Sequence, residues 1–318
     1  MITLLYHSGV KITSAIIFLG TGGDSYVVGK QIRSSGGIVL QINENQFHLD
    51  PGPSSLLMAK EVGVNLRVNT ALFVTHNHLN HCNDINAVID SMTYGGFDKK
   101  GVLIASNSVV NGSEDSCPAL QSYYKKCLER FIVLNEDQKV GINEVEIQAL
   151  KARHSESSAI GFKFFTPNFT LTYSGDTKYS AEVVEEYKNS NILILNVPFL
   201  KKDKENDGLC KEDAIKIINA VKPNLTIITH FGIDFVKADP LYEVREIQKQ
   251  TNCQVIAAKD GMIINPLSYA VEQGQRTLVG FKEGKKDVDV RFKEDVNEVN
   301  DLIEEKQSSL EESNQEKL

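Results

Sequence analysis

The sequence predicts an α/β fold of two sheets with helices on their outer faces. Two observations carry this. The first half of the 318-residue chain reads as short apolar or alternating runs broken by glycine. The second half alternates strand-like and helix-like segments, and halves of these two kinds suit a pair of sheets packed between helices.

In order, Ser14–Leu19, Gly37–Ile42 and Gln46–Leu49 are apolar or alternating runs bounded by turn residues, which suits strands. Ser54–Val62 then reads as a helix. Ala71–Val74 is a short buried strand that leads straight into a histidine cluster. Asp84–Met92 is helical, with Ile85, Val88, Ile89 and Met92 on one face. Val102–Ala105, Phe131–Leu134, Glu144–Leu150, Ile160–Phe165 and Phe169–Tyr173 follow as strands. A β/α rhythm then begins: helix Ala181–Tyr187, strand Ile192–Asn196, helix Lys211–Val221, strand Leu225–Thr229, helix Pro240–Thr251 and strand Gln254–Ala257.

Two domains are expected, a body over 1–283 and a tail over 284–318. The tail carries six Lys/Arg against eleven Asp/Glu, which is −5 of the chain's net −8. Glu294–Glu305 suits a surface helix, and disorder is expected beyond Lys306. The body is left at −3, a charge that neither selects nor excludes an anionic substrate. Hydrophobic residues make up 41% and charged residues 24% of the chain, as in a soluble globular protein.

No apolar run approaches the roughly 18–20 residues that span a bilayer. Met1 to Val10 shows no basic segment followed by an apolar one, so the expected location is the cytoplasm, without membrane association. Five scattered cysteines with no C-x-x-C pair read as reduced thiols. Cys82 is set apart because it directly follows His81.

The chemistry gathers at strand ends. The chain has seven histidines, and three lie in Thr75-His76-Asn77-His78-Leu79-Asn80-His81, directly after the apolar Leu72-Phe73-Val74. Neutral imidazoles converging from a strand end are ready ligands for zinc and related ions. His154 follows the Glu144–Leu150 strand, His230 ends Leu225–Thr229, and Asp176 follows Phe169–Tyr173 in Tyr173-Ser174-Gly175-Asp176-Thr177. His48 alternates with apolar residues and reads as structural. Gly20-Thr21-Gly22-Gly23 lacks the Gly-Lys-Ser/Thr of a nucleotide P-loop. Arg33 is open to two readings, a phosphate contact at the site mouth or a surface ion pair. The mixed-sign run Lys201 to Asp207 reads as a solvated loop.

The order of these segments resembles the metallo-β-lactamase superfamily. The likeness runs over residues 14–266, through Phe18-Leu19-Gly20-Thr21-Gly22-Gly23, Leu49-Asp50-Pro51-Gly52, the histidine cluster, His154, Asp176, His230 and Ala258-Lys259-Asp260-Gly261. It is most similar to the ribonuclease Z-like and phosphodiesterase-like branch, which carries histidine at the position of His78. The branch with glutamate there holds an oxygen-reducing di-iron centre. The resemblance implies a metallo-β-lactamase-like αββα sandwich, two mixed β-sheets flanked by helices. It also implies a centre of one or two divalent ions: Zn2+ first, with Mn2+ or Fe2+ served by the same donors.

His76, His78 and His154 would hold the first ion, with Asp176 bridging. His81 and His230 would hold the second. Asp50 would orient a metal-binding histidine from behind. The family's His-x-His-x-Asp-His has Asn80 in the aspartate position, so Asn80 offers the second ion a carbonyl oxygen but no charge. Cys82 or Asp84 would then be substitutes.

The function implied is a metal-dependent hydrolase of phosphodiester or related ester bonds, RNA among them, with Asp176 and Asn80 as catalytic positions. The alternatives are a thioester or lactone hydrolase, and a catalytically impaired member serving in binding or regulation. The basic glycine-rich arm and the His-Glu-Ala-Thr element of ribonuclease Z are missing, and Leu195-Asn196-Val197-Pro198-Phe199 stands in place of the latter. The expected partners are a small ester or nucleic-acid substrate and a second copy of the chain as a homodimer.

Overall fold

The computed structural model describes residues 14–270. The expected acidic tail from Gly284, its Glu294–Glu305 helix and His7 lie outside the described residues. The strands are β1 (Ser14–Gly20), β2 (Ser35–Ile42), β3 (Asn45–Leu49), β4 (Ala71–Val74), β5 (Val102–Ala105), β6 (Arg130–Val133), β7 (Lys139–Ile142), β8 (Val145–Lys151), β9 (Ile160–Phe165), β10 (Thr170–Tyr173), β11 (Ile192–Asn196), β12 (Leu225–Thr229), β13 (Val255–Ala257) and β14 (Ile263–Ile264). The helices are α1 (Ser25–Gly29), α2 (Ser55–Glu61), α3 (Leu79–Cys82), α4 (Ile85–Thr93), α5 (Asn107–Asn111), α6 (Ser122–Cys127), α7 (Ala181–Tyr187), α8 (Lys211–Val221), α9 (Ile233–Lys237) and α10 (Pro240–Thr251).

Two seven-stranded mixed sheets result, ordered β14-β1-β2-β3-β4-β5-β6 and β13-β12-β11-β10-β9-β8-β7. In each, an antiparallel hairpin region gives way to parallel strands: β3 through β6 in the first sheet, β10 through β13 in the second. The period-2 alternation of each strand decides the layering. Ile16, Phe18, Phe47 and Phe73 of one sheet pack with Ile147, Phe162, Phe164 and Ile194 of the other in a shared core. The ring of Phe73 meets Phe47, Phe162 and Phe164 edge-on at 5.2–5.4 Å, a preferred aromatic geometry that couples the sheets. The intervening residues face outward: Ile17, Leu72 and Val74 pack against Ile85, Val88 and Ile89 of α4. Leu193, Leu195 and Ile228 pack against Val183 of α7, Ile217 of α8 and Ile247 of α10. Strands covered on both faces must be apolar throughout, which is why these runs read so plainly in sequence.

The fold is therefore the expected αββα sandwich. The structure adds β7, joined to β8 by a tight turn in which Asn143 takes φ 51°, a conformation asparagine tolerates. It also adds α3 inside the histidine cluster and the one- or two-turn helices α1, α5, α6 and α9. Segments this short show too little periodicity to be read from spacing. Among the described residues, no helix is long and apolar enough to cross a membrane.

Candidate metal centre

The seven expected site residues and Asp50 are brought together beyond the C-terminal ends of five strands. In open α/β sheets this is where ligands bind, because the loops there diverge and leave a crevice. Asp50 follows β3, His76 follows β4, His154 follows β8, Asp176 follows β10, and His230 follows β12. Helix α3 turns the chain so that His78 and His81, three residues apart, both point inward. Two left-handed residues aim the carboxylate and the last ring: Gly175 at φ +56° before Asp176, and His230 itself at φ 64°. Gly23 backs His230 so closely that a Cβ there would collide with the His230 carbonyl and ring.

Three imidazoles form the first group. His76 Nε2 lies 2.9 Å from His78 Nδ1, which lies 3.1 Å from His154 Nε2. The outer partners decide which atom of each ring carries the proton. The carbonyl of Asp207, 2.9 Å from His154 Nδ1, accepts its proton, so Nε2 presents a lone pair. Thr75 spends its hydroxyl proton on Asp50 Oδ2 at 2.9 Å, so its oxygen accepts from His76 Nδ1, also at 2.9 Å. His76 Nε2 is thereby a lone pair as well. One proton on His78 Nδ1 could satisfy only one of the two facing lone pairs, whereas a cation between the rings satisfies all three. The donor set thus fits a divalent ion.

A second group overlaps the first. His76, His81 and Asp176 offer ligand atoms within 4.8 Å of one another. His81 Nε2 is 3.2 Å from Asp176 Oδ2 and 3.0 Å from His230 Nε2. Asn80 Nδ2 lies 3.0 Å from His230 Nε2 and 3.1 Å from the Gly23 carbonyl.

Burial sets the charges. It holds His76 well below the usual imidazole range, and His81 beside it adds to the effect. Burial and then His154 lower His78, and burial takes His230 down to about 4. These rings are neutral at pH 7 and can bind an ion without first losing a proton. Burial also opposes charge on His81, but Asp176 and Asp50 outweigh it and raise its pKa to about 10 in the metal-free chain. Burial would raise Asp176, yet His230 and His81 hold it well below the carboxylate range.

Two substitutes considered from sequence do not reach the centre. Asp84 turns away and accepts from the Ser55 amide at 2.9 Å. Cys82 points its thiol at the His78 carbonyl (3.2 Å), and burial pushes its pKa up to about 12. Arg33 forms no ion pair among the described residues. It donates to Thr21 Oγ1 at 2.9 Å and lies 5.0 Å over the Phe231 ring, beside an Asp260 that accepts from Thr21 and the Ser34 amide. His48 is structural as expected, wholly buried and bonded to the Gly36 carbonyl at 2.8 Å.

Three contributors escaped the sequence reading. Asp207 ends a run read as solvated, and Lys201 to Glu205 are indeed exposed, but Asp207 folds back onto His154. Asn196 Nδ2 donates to Asp176 Oδ1 at 2.7 Å, and Tyr173 donates to Asp50 Oδ2 at 2.8 Å. Asparagine at the end of an apolar strand beside a carboxylate-bearing loop was the one available signal, and it depends on knowing that β10 and β11 are neighbours.

Residues 45–231 match the model of the beta-lactamase superfamily domain. The chain belongs to the β-lactamase superfamily. A curated relative, the uncharacterized protein MJ1374 of Methanocaldococcus jannaschii, is 31% identical over 255 residues, covering 80% of this chain and 95% of that protein. Among solved structures, the metallo-β-lactamase fold protein YhfI from Bacillus subtilis aligns with a TM-score of 0.66 at 19% identity, over 79% of this chain and 98% of its own. Human tRNase Z, short form, aligns with a TM-score of 0.59 at 16% identity, over 79% and 98%. The fold is that of the metallo-β-lactamases. Within the superfamily match lie Asp50, the whole histidine cluster, His154, Asp176 and His230.

Proposed function

We propose that this superfamily member is a metal-dependent hydrolase that cleaves phosphodiester or related ester bonds, with Zn2+ as its resident ion. The observation that carries the reading is the convergence of the His76, His78 and His154 nitrogens with two lone pairs already fixed by outer partners. Three nitrogens and a nearby carboxylate suit zinc and leave a position for water. A divalent ion held there would lower the pKa of water toward ~7 and polarise a substrate oxygen.

The chain's own groups do the rest. Asp176, with Oδ1 held by Asn196 and Oδ2 3.2 Å from His81 Nε2 and 4.0 Å from His76 Nε2, is the carboxylate placed to orient the attacking water. Substrate enters on the side of His78 and His154. A cavity of about 530 Å3 there is lined by Arg153, His154, Ser155, Lys178, Glu205 and Asp207, and one of about 400 Å3 by residues that include His78, Ser116, Glu114, Asp115 and Glu156. The phosphodiester reading is supported by the fold: human tRNase Z, which shares it, is named for acting on transfer RNA. Five unpaired cysteines accord with the cytoplasm as its location.

The zinc-loaded full-length protein is expected to hydrolyse bis(p-nitrophenyl) phosphate, to stop when a chelator strips the ion, and to resume when Zn2+ is returned. Turnover of thioester or lactone substrates with none of the phosphodiester would overturn the reading.

A further inference from the structure

We infer that this chain binds one divalent ion, not a pair, because Asn80 and His230 close the second position with a hydrogen bond. The inference rests on the metal centre proposed above and concerns how many ions it holds. The Gly23 carbonyl can only accept, so the Asn80 carboxamide turns its Nδ2 toward it, at 3.1 Å. The same Nδ2 lies 3.0 Å from His230 Nε2 and donates its second proton there. An imidazole nitrogen has a single in-plane lone pair, so His230 Nε2 cannot accept that proton and ligate an ion together.

The backbone at Asn80 is held in place: its main-chain carbonyl accepts from Ser35 Oγ at 2.9 Å, and Gly52 packs against that carbonyl so closely that a Cβ would collide. The remaining candidate ligands lead to the same count. The group His76-His78-His154 and the group His76-His81-Asp176 share His76, whose Nδ1 is occupied by Thr75. Its one free nitrogen serves one ion. Charge agrees: a pair of divalent ions would meet Asp176 as the sole carboxylate among these described ligand groups, whereas aspartate at position 80 would supply a second anion and no donor. His81 then acts through its hydrogen bond to Asp176, and His230 accepts from Asn80, instead of serving as ligands.

The test is elemental analysis of the full-length protein after equilibrium dialysis against Zn2+, and separately Mn2+, with Asn80→Asp and Asn80→Ala dialysed alongside. One ion per chain is expected for the native protein, and more than one for Asn80→Ala, which frees His230 Nε2, and for Asn80→Asp. Two ions in the native protein, or one in a folded Asn80→Asp, would overturn the inference while leaving the hydrolase reading intact. No ion in any of them would overturn both.

Discussion

His76→Ala is expected to release the metal ion and abolish hydrolysis while leaving a folded chain. His76 is wholly buried, and its Nε2 is the donor common to both candidate ligand groups. No neighbour can replace it, since the Cys82 thiol and the Asp84 carboxylate point elsewhere. The loss in metal affinity should exceed the roughly 10–100-fold that follows removal of an outer partner. Thermal unfolding supplies a check independent of catalysis. An ion that binds only the folded state stabilises it, so a chelator should lower the native Tm and leave the Tm of His76→Ala unmoved. A variant that still answers to chelator would show that the ion sits elsewhere.

Asp50→Ala is expected to be the costliest single change to stability at the centre. The carboxylate accepts four hydrogen bonds at 2.7–2.9 Å: from the Thr75 amide, Thr75 Oγ1, His81 Nδ1 and Tyr173 Oη. All four bonds are buried, so truncation strands donors that water cannot easily reach. Breaking a buried charged pair from one side typically costs about 3–5 kcal/mol, and that is the loss expected in urea unfolding, with the midpoint falling and the slope unchanged. The relay Asp50 to Thr75 to His76 also holds the His76 tautomer. Metal affinity should therefore fall by roughly 10–100-fold as well. A loss under about 1 kcal/mol, the mark of an ordinary surface position, would mean that the network is not what holds these loops together.

Much of this architecture was legible before the structure. Runs such as Ala71–Val74, Ile192–Asn196 and Leu225–Thr229 are apolar throughout because both faces of each strand are covered, and their bounds agree to the residue. The ligand candidates were legible for a related reason. His76, Asp176 and His230 each follow closely on such a run, and a polar residue at the mouth of a buried strand stands out. What could not be read depends on which distant segments meet. Asn196 reaches Asp176 only because β10 and β11 pair in parallel, with Tyr173 opposite Ile194. Asp207 lies in a charged run that looks solvated, 53 residues from the His154 it orients. The direction of the Asn80 carboxamide is set by a glycine carbonyl 57 residues earlier. In each case the residue type was visible and its partner was not.

The central claim is that His76, His78 and His154 together hold the ion, and X-ray absorption at the zinc edge of the loaded protein tests it most directly. The expected result is a shell of nitrogen and oxygen at about 2.0–2.1 Å with the outer scattering of three imidazoles, reduced to two in a His154→Ala protein. A sulfur shell at about 2.3 Å, which would bring a cysteine such as Cys82 into the site, would contradict it.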